Sequence, residues 1–312
     1  MNRSIRTAAA LLIALTLTAC AAAPAAPPPT AVPPTAAPTI TDALGRQVAV
    51  PATAKRVISL APSVTETLFA IGAGPQVVGD TKYCNYPPEA DALPEIGGFS
   101  AKTISIESIV ALKPDLVIGG SVAQASVAEA LEKAGIPTLI FEPKTFEEVY
   151  SHIEQLGYLT GRTDAAAAVV KQMRDRVAAV QQRVAGIPAG QRPSVFYEVF
   201  DEPLMTAGPG TFIGQMLGLA GATSIFADAT EDYPQVSAEA IVSRDPAVIV
   251  GPSTHGDKLT PALVAARPGW DKIRAVRDGK VYLLDGDMVS RPGPRLANAL
   301  EALANALYPG QK

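Results

Sequence analysis

One segment of the chain is written twice. Residues 105–120 read SIESIVALKPDLVIGG and residues 237–252 read SAEAIVSRDPAVIVGP. At an offset of 132 (237 minus 105) they share Ser105/Ser237, Glu107/Glu239, Ile109/Ile241, Val110/Val242, Pro114/Pro246 and Gly119/Gly251. Each copy reads as a short helix, a proline that stops it, and an aliphatic run suited to a buried strand. A chain that repeats a helix–strand unit in register is constrained to build two similar α/β halves. A second match, Gly72-Ala73 with Gly221-Ala222, lies at an offset of 149 (221 minus 72). The first half therefore carries 17 additional residues (149 minus 132), which fall in the stretch TKYCNYPPEADALPEIGGFS. Ser-x-Glu at both helix starts also suits plain capping, with serine as N-cap and glutamate facing the positive end of the helix dipole.

The rest of the chain alternates in the same way. KRVISLAP reads as a buried strand and a turn, and SVTETLFAIGAG as a helix with Ser63 as N-cap and Glu66 three residues later. Strand and helix signals then alternate to Gly161 and resume after PAGQRP. Between them, residues 162–186 contain no internal Gly or Pro, and Val169, Met173, Val177, Val180 and Val184 form an amphipathic stripe. At 1.5 Å per residue this helix is a rod of about 35 Å, long enough to run along one lobe and reach another. The expected fold is α/β: two Rossmann-like lobes with mostly parallel sheets, residues 40–161 and 187–312, joined by one long backbone helix at 162–186.

The first residues are processed, on this reading. Arg3 and Arg6 precede a short apolar run ending at Cys20, the pattern of a secretory signal and too short to span a bilayer. Leu17-Thr18-Ala19-Cys20 resembles the lipobox of bacterial lipoproteins, which implies cleavage before Cys20 and a lipid on its thiol. Residues 1–20 are then the signal peptide. Residues 21–39 are Pro/Ala-rich and uncharged, a composition that builds no core and suits a tether. With Cys20 lipidated, Cys84 has no disulfide partner and reads as a small buried or loop residue. A net charge of −4 without a Lys/Arg stripe argues against nucleic acid.

The chemistry of common enzymes is missing from the sequence. There is no P-loop, no HExxH and no GxSxG, and the glycine pairs at Gly72 and Gly208 fail GxGxxG. Only His152 and His255 are present, and His152 lies on an amphipathic helix as a packing or surface residue. A binding protein without catalysis, bound metal or cofactor is expected. In open α/β sheets ligands collect beyond the carboxyl ends of the strands. Those ends place Ser63, Tyr83, Tyr86, Phe99, Phe200, Tyr233, His255, Asp287 and Arg291 at one mouth. The aromatic members suit a large planar ligand.

With these residues placed, the chain resembles the substrate-binding lipoproteins of ABC importers for vitamin B12, ferric siderophores and haem. The stretches TDALGRQVAVP, RVISLAPSVTETLFAIGAG, KYCNYPPEA, IESIVALKPDLVIGG, YPQVSAEAIVSRDPAVIV and SRPGPR carry the likeness over residues 40–310. The resemblance implies a monomeric receptor, lipid-anchored outside the cell membrane, that delivers its ligand to a permease dimer with ATPase subunits. It implies that Glu107 and Glu239, one per lobe, dock onto permease arginines. YCNYPPEA and YPQVS look most like the cobalamin receptor, and there Tyr83, Phe99, Tyr233, Asp287 and Arg291 match the positions that hold a corrinoid. Phe99 and Tyr233 stand where that pattern carries tryptophans, and Gly119-Gly120 replaces another. A ferric siderophore or haem is the alternative ligand of the same fold, Arg291 favouring a siderophore and Tyr83 or His255 serving as a haem ligand. A chelatase-like enzyme and a surface adhesion or sensor protein are the readings of other classes.

Overall fold

The structure is a computed structural model that describes residues 38–253 and 259–310. Cys20, the signal segment, most of the tether and His255 lie outside the described residues. An antiparallel hairpin opens the described chain, β1 (Thr39–Thr41) with β2 (Gln47–Ala49). Asp42 closes it, accepting from the Leu44 and Arg46 amides at 3.0 Å and pairing with the Arg46 guanidinium at 2.6 Å.

The first lobe follows as β3 (Val57–Ser59), α1 (Pro62–Ala70), β4 (Val77–Gly79), α2 (Ile106–Ala111), β5 (Leu116–Gly119), α3 (Ala125–Lys133) and β6 (Thr138–Ile140). Its four strands are parallel, in the order β4-β3-β5-β6. They are buried along almost their whole length because helices cover both faces of a parallel sheet, leaving no solvent side for polar alternation. Two helices come next, α4 (Phe146–Thr160) and α5 (Thr163–Ala185). The second lobe runs β7 (Ser194–Asp201), β8 (Leu204–Thr206), α6 (Phe212–Leu219), β9 (Thr223–Ser224), α7 (Ala238–Arg244), β10 (Val248–Pro252), α8 (Pro261–Ala265), α9 (Arg274–Arg277), β11 (Val281–Leu284), α10 (Gly286–Ser290) and α11 (Leu296–Leu307). Here β9, β7, β10 and β11 are parallel in that order, and β8 folds back antiparallel on β7.

Counting parallel strands alone, the two sheets therefore have one topology: the second strand of each lobe lies outside the first, and the third and fourth follow on the other side. The sequence repeat is a structural repeat in detail. The Ser105 hydroxyl accepts from the Ser108 amide, and the Ser237 hydroxyl from the Ala240 amide, both at 3.1 Å. Lys113 and Asp245, 132 residues apart (245 minus 113), both take positive φ, 48° and 40°, just before the shared prolines. A residue ahead of proline is disfavoured in the right-handed helical region, so each helix ends there, and in both copies the residue takes the left-handed conformation instead. Gly72 (φ 74°) and Gly221 (φ 66°) end α1 and α6 in the left-handed conformation that glycine adopts without Cβ strain. The next amides reach back alike, Ala73 to the Leu68 carbonyl and Ala222 to the Leu217 carbonyl.

Ser63 is not the N-cap of α1, as the sequence pattern suggests. Ala61 holds that position, Pro62 is the first helical residue, and Ser63 follows inside the first turn. Proline at the first helical position supplies the right φ and needs no amide partner, so the helix starts there without a side-chain cap.

The helix α5 is the rod foreseen, 23 residues long. Ala166, Val170, Met173, Val180 and Val184 are its buried face. One apolar cluster runs from Leu68 and Val149 through Met173 and Val180 to Met216 and Leu303, so the core is continuous from lobe to lobe. Arg174 pairs with Glu147 of α4 at 2.6 Å, and Arg176 with Glu301 of α11 at 2.5 Å. Because α5 packs on helices of both lobes, it resists bending more than a pair of extended linkers would. No helix among the described residues is long and apolar enough to cross a membrane.

Candidate ligand-binding cleft

The loops at the carboxyl ends of both sheets enclose a cavity of about 700 Å³ between the lobes. From the first lobe, Ala61-Pro62-Ser63, Tyr83, Phe99, Gly120-Ser121 and residues 142–144 line it. From the second lobe come residues 210–212, Asp232, Tyr233, Asp287 and residues 290–292. Of the residues expected at the mouth, the structure brings Ser63, Tyr83, Phe99, Tyr233, Asp287 and Arg291 together. Tyr83 and Tyr233 face the same space from opposite lobes, about half exposed (50% and 48%). Half-exposed aromatics gathered from both lobes around one cleft form a patch that a large flat ligand can cover.

Two expected residues stand elsewhere. Tyr86 lies outside the lining, because the Arg295 guanidinium stacks over its ring at 4.1 Å and holds it at the lobe junction. Phe200 lies near the end of β7, its backbone paired with Met205 of β8, which carries it past the cavity. Arg291 keeps its place on the wall but does not offer a free fork. Its Nη1 donates to Glu66 at 2.9 Å and to Asn85 at 2.7 Å, while Nη2 donates to the Tyr83 carbonyl at 3.3 Å and pairs with Asp287 at 2.8 Å.

That network is the part of the site that the sequence did not announce. Glu66, on α1 of the first lobe, is 2% exposed at its carboxylate and accepts from Arg291 and, at 2.7 and 2.8 Å, from Arg295. Both arginines belong to the segment between α10 and α11 of the second lobe. Glu66 therefore latches the two lobes beside the cavity, and Arg291 fixes the loop that carries Tyr83.

Further residues complete the wall. Glu142 accepts from the Ser121 hydroxyl at 3.0 Å and the Val122 amide at 3.1 Å, with Lys144 3.7 Å away. Among the described residues the charged lining is Glu142, Asp232 and Asp287 against Lys144 and Arg291, a balance of −1 (two positive, three negative). Burial, with Asp232 beside it, pushes the Tyr233 hydroxyl above its ordinary pKa. Beneath the Tyr83 loop lies Asp80, 2% exposed, whose Oδ2 has no hydrogen-bond partner among the described residues. Burial pushes its carboxyl up to about 7, with the Cys84 thiol pulling partly the other way. Cys84 is itself buried, and burial raises its thiol, so it is a packing residue and not a reactive one. His152 stacks on Phe141 at 4.4 Å, and burial lowers it to about 4. Among the described residues no cluster of His, Cys, Asp and Glu has the makings of a metal site.

Glu107 and Glu239 are exposed in the first turns of α2 and α7. Each helix precedes a parallel strand and runs against it, so each starts at the end of the sheet where the cleft loops lie. The Glu239 carboxylate is held below its ordinary pKa by its own amide and by the Ser237 hydroxyl.

A two-lobed α/β chain with a ligand-sized interlobe cleft is the design of solute receptors, and the comparison with known families agrees. The model of the periplasmic binding protein family matches residues 57–288. The chain belongs to that family. An uncharacterised ABC transporter substrate-binding lipoprotein of Bacillus subtilis is 36% identical over 276 residues, covering 87% of this chain and 85% of that protein. A cobalamin-binding protein of Halobacterium salinarum is 34% identical over 306 residues, covering 95% and 82%. Among solved structures, a periplasmic haem-binding protein from Roseiflexus superposes with a TM-score of 0.73 at 27% identity, over 82% of this chain and 98% of that one. This member of the family is thus the solute-binding component of an ABC importer, acting outside the cytoplasmic membrane with a permease and its ATPase.

Proposed function

We propose that the solute is a corrinoid, held between Tyr83 and Phe99 of one lobe and Tyr233 of the other. The observation that carries this reading is the cleft itself: aromatic faces from both lobes around an opening whose described residues carry almost no net charge. An amide-decorated corrinoid needs flat apolar contact and scattered polar groups, not a cationic funnel. An anionic ferric siderophore would need one, and among the described residues both cations of the lining are already paired, Lys144 with Glu142 at 3.7 Å and Arg291 with Glu66, Asn85 and Asp287. The name of the Halobacterium relative supports the corrinoid.

Haem is the second reading, favoured by the Roseiflexus neighbour and by two tyrosines in the cleft. Tyrosine ligates iron as phenolate, and the raised pKa of Tyr233 works against that form. In our reading Cys20 carries the lipid that anchors the chain, residues 21–39 tether the lobes, and Glu107 and Glu239 dock onto the permease. Catalysis has no part in it.

Replacing both Tyr83 and Tyr233 with alanine tests the corrinoid clasp. Each is an interface-type aromatic anchor worth about 2 kcal/mol on truncation, so affinity for cyanocobalamin falls about a hundredfold or more. Both are half exposed, so the melting temperature stays within a few degrees. Calorimetric titration that finds wild-type affinity in the double variant overturns the clasp.

A further inference from the structure

We propose that a pocket under the floor of the cleft, in the second lobe, is a subsite for one short carboxamide arm of the ligand, read by Tyr197 and Ser290. The proposal rests on the corrinoid reading and adds to it a specific contact. The pocket holds about 180 Å³ and is walled by Tyr197, Val199, Ile213 and Val289. Phe212, Tyr233 and Ser290 belong to this pocket and to the main cavity alike, so the two adjoin. That volume takes roughly six water-sized groups, enough for a side arm and too little for a macrocycle.

Tyr197 supplies the chemical signal. Strand alternation along β7 sends Phe196 to the outer cluster with Trp270 and turns Tyr197 to the opposite face, into the core shared by both lobes, where it lines the pocket. Tyr197 is 1% exposed, yet its buried hydroxyl has no hydrogen-bond partner among the described residues. A buried hydroxyl without a partner is unfavourable, and native interiors rarely keep one without a reason. Burial and the neighbouring Tyr233 push the Tyr197 phenol far up, so it stays protonated as a donor. Ser290 stands opposite in function. Its hydroxyl donates to the Gly286 carbonyl at 2.7 Å, which leaves its oxygen lone pairs to accept. One donor and one acceptor in an apolar box match a primary carboxamide, whose carbonyl accepts from Tyr197 and whose N–H donates to Ser290. An ionised carboxylate fits poorly, because the lining offers it no cation and a second acceptor faces it.

The test titrates the wild-type chain, Tyr197→Phe and Val199→Phe with cyanocobalamin and with its monocarboxylic acids, in which one arm amide is hydrolysed. Tyr197→Phe is expected to weaken cyanocobalamin binding about two- to tenfold, the range of one neutral hydrogen bond. Its ligand-free melting temperature is expected to hold or rise, since an unpaired hydroxyl leaves the interior. Val199→Phe fills the pocket, keeps the hydroxyl and is expected to show a comparable loss. At least one monoacid is expected to bind the wild type more weakly at pH 8 than at pH 4, and to lose that difference in Val199→Phe. If the wild type binds cyanocobalamin and both variants match it, the subsite is wrong and the corrinoid reading stands. If Tyr197→Phe loses stability along with affinity, the hydroxyl is structural and the subsite is wrong. If the wild type binds no corrinoid, the proposal falls together with the reading under it.

Discussion

Glu66→Ala is expected to lower stability by about 3–5 kcal/mol, the largest loss of any single polar substitution in the cleft region. The reason is the asymmetry of buried charge pairs. Arg291 and Arg295 are only 11% and 17% exposed at their side chains, and both point at one carboxylate that is 2% exposed. Removing that carboxylate leaves two cations close together with poor access to water. A domain of this size loses about 2–4 °C of melting temperature per kcal/mol, so a fall on the order of 10 °C is expected. Glu66→Gln keeps shape and part of the hydrogen bonding and is expected to fall in between. Affinity for cyanocobalamin is expected to drop as well, because Arg291 also holds the Tyr83 carbonyl and Asn85 in place. Thermal unfolding with and without cyanocobalamin reads both effects. A shift below about 2 °C for Glu66→Ala means the lobes are held by the apolar cluster alone and the latch carries nothing.

The second large effect concerns transport. Reversing the charge at both Glu107 and Glu239 to lysine is expected to abolish delivery of cyanocobalamin to the permease, by more than a hundredfold. Close charge pairs across interfaces couple by about 1.5–7 kcal/mol, and two such pairs become repulsive at once. Neither glutamate lines the cleft, so solution affinity is expected to stay within about twofold. Each lysine also sits at a helix N-terminus where a cation is disfavoured by about 0.3–1 kcal/mol, a modest cost to stability. Uptake into vesicles holding the permease and ATPase, with single reversals alongside, separates docking from folding. Unchanged uptake by the double variant removes both glutamates from the interface.

Much of this was legible in the chain because it is local or repetitive. The 132-residue offset (237 minus 105) predicted two lobes, and the structure adds that the strand order, the serine caps, the positive-φ residue before each shared proline and the terminal glycines all recur. The apolar stripe from Val169 to Val184 predicted the connecting rod, since helical periodicity needs only neighbours. Strand ends named Ser63, Tyr83, Phe99, Tyr233, Asp287 and Arg291 because parallel topology sends every such loop to one side. What the sequence hid depends on distant partners. Ser63 and Glu66 form a capping-box pattern, but Pro62 starts the helix and Glu66 turns inward to arginines 225 and 229 residues away. No local rule relates those positions. Tyr86 and Phe200 were misplaced for the same reason: loop membership says which end of the sheet a side chain occupies, not whether a stacked arginine or a strand pairing draws it off the wall. Tyr197 was invisible because a tyrosine in a strand looks like core, and only three dimensions show that its hydroxyl lacks a partner.

We propose that this importer receptor selects a corrinoid. The direct measurement is calorimetric titration of residues 38–312 with cyanocobalamin, cobinamide, haem and a ferric siderophore in parallel. Tight one-to-one binding of the corrinoids is expected, with no comparable heat from haem or the siderophore. Binding of haem or the siderophore alone contradicts it, leaving the fold and the importer role in place while removing the corrinoid.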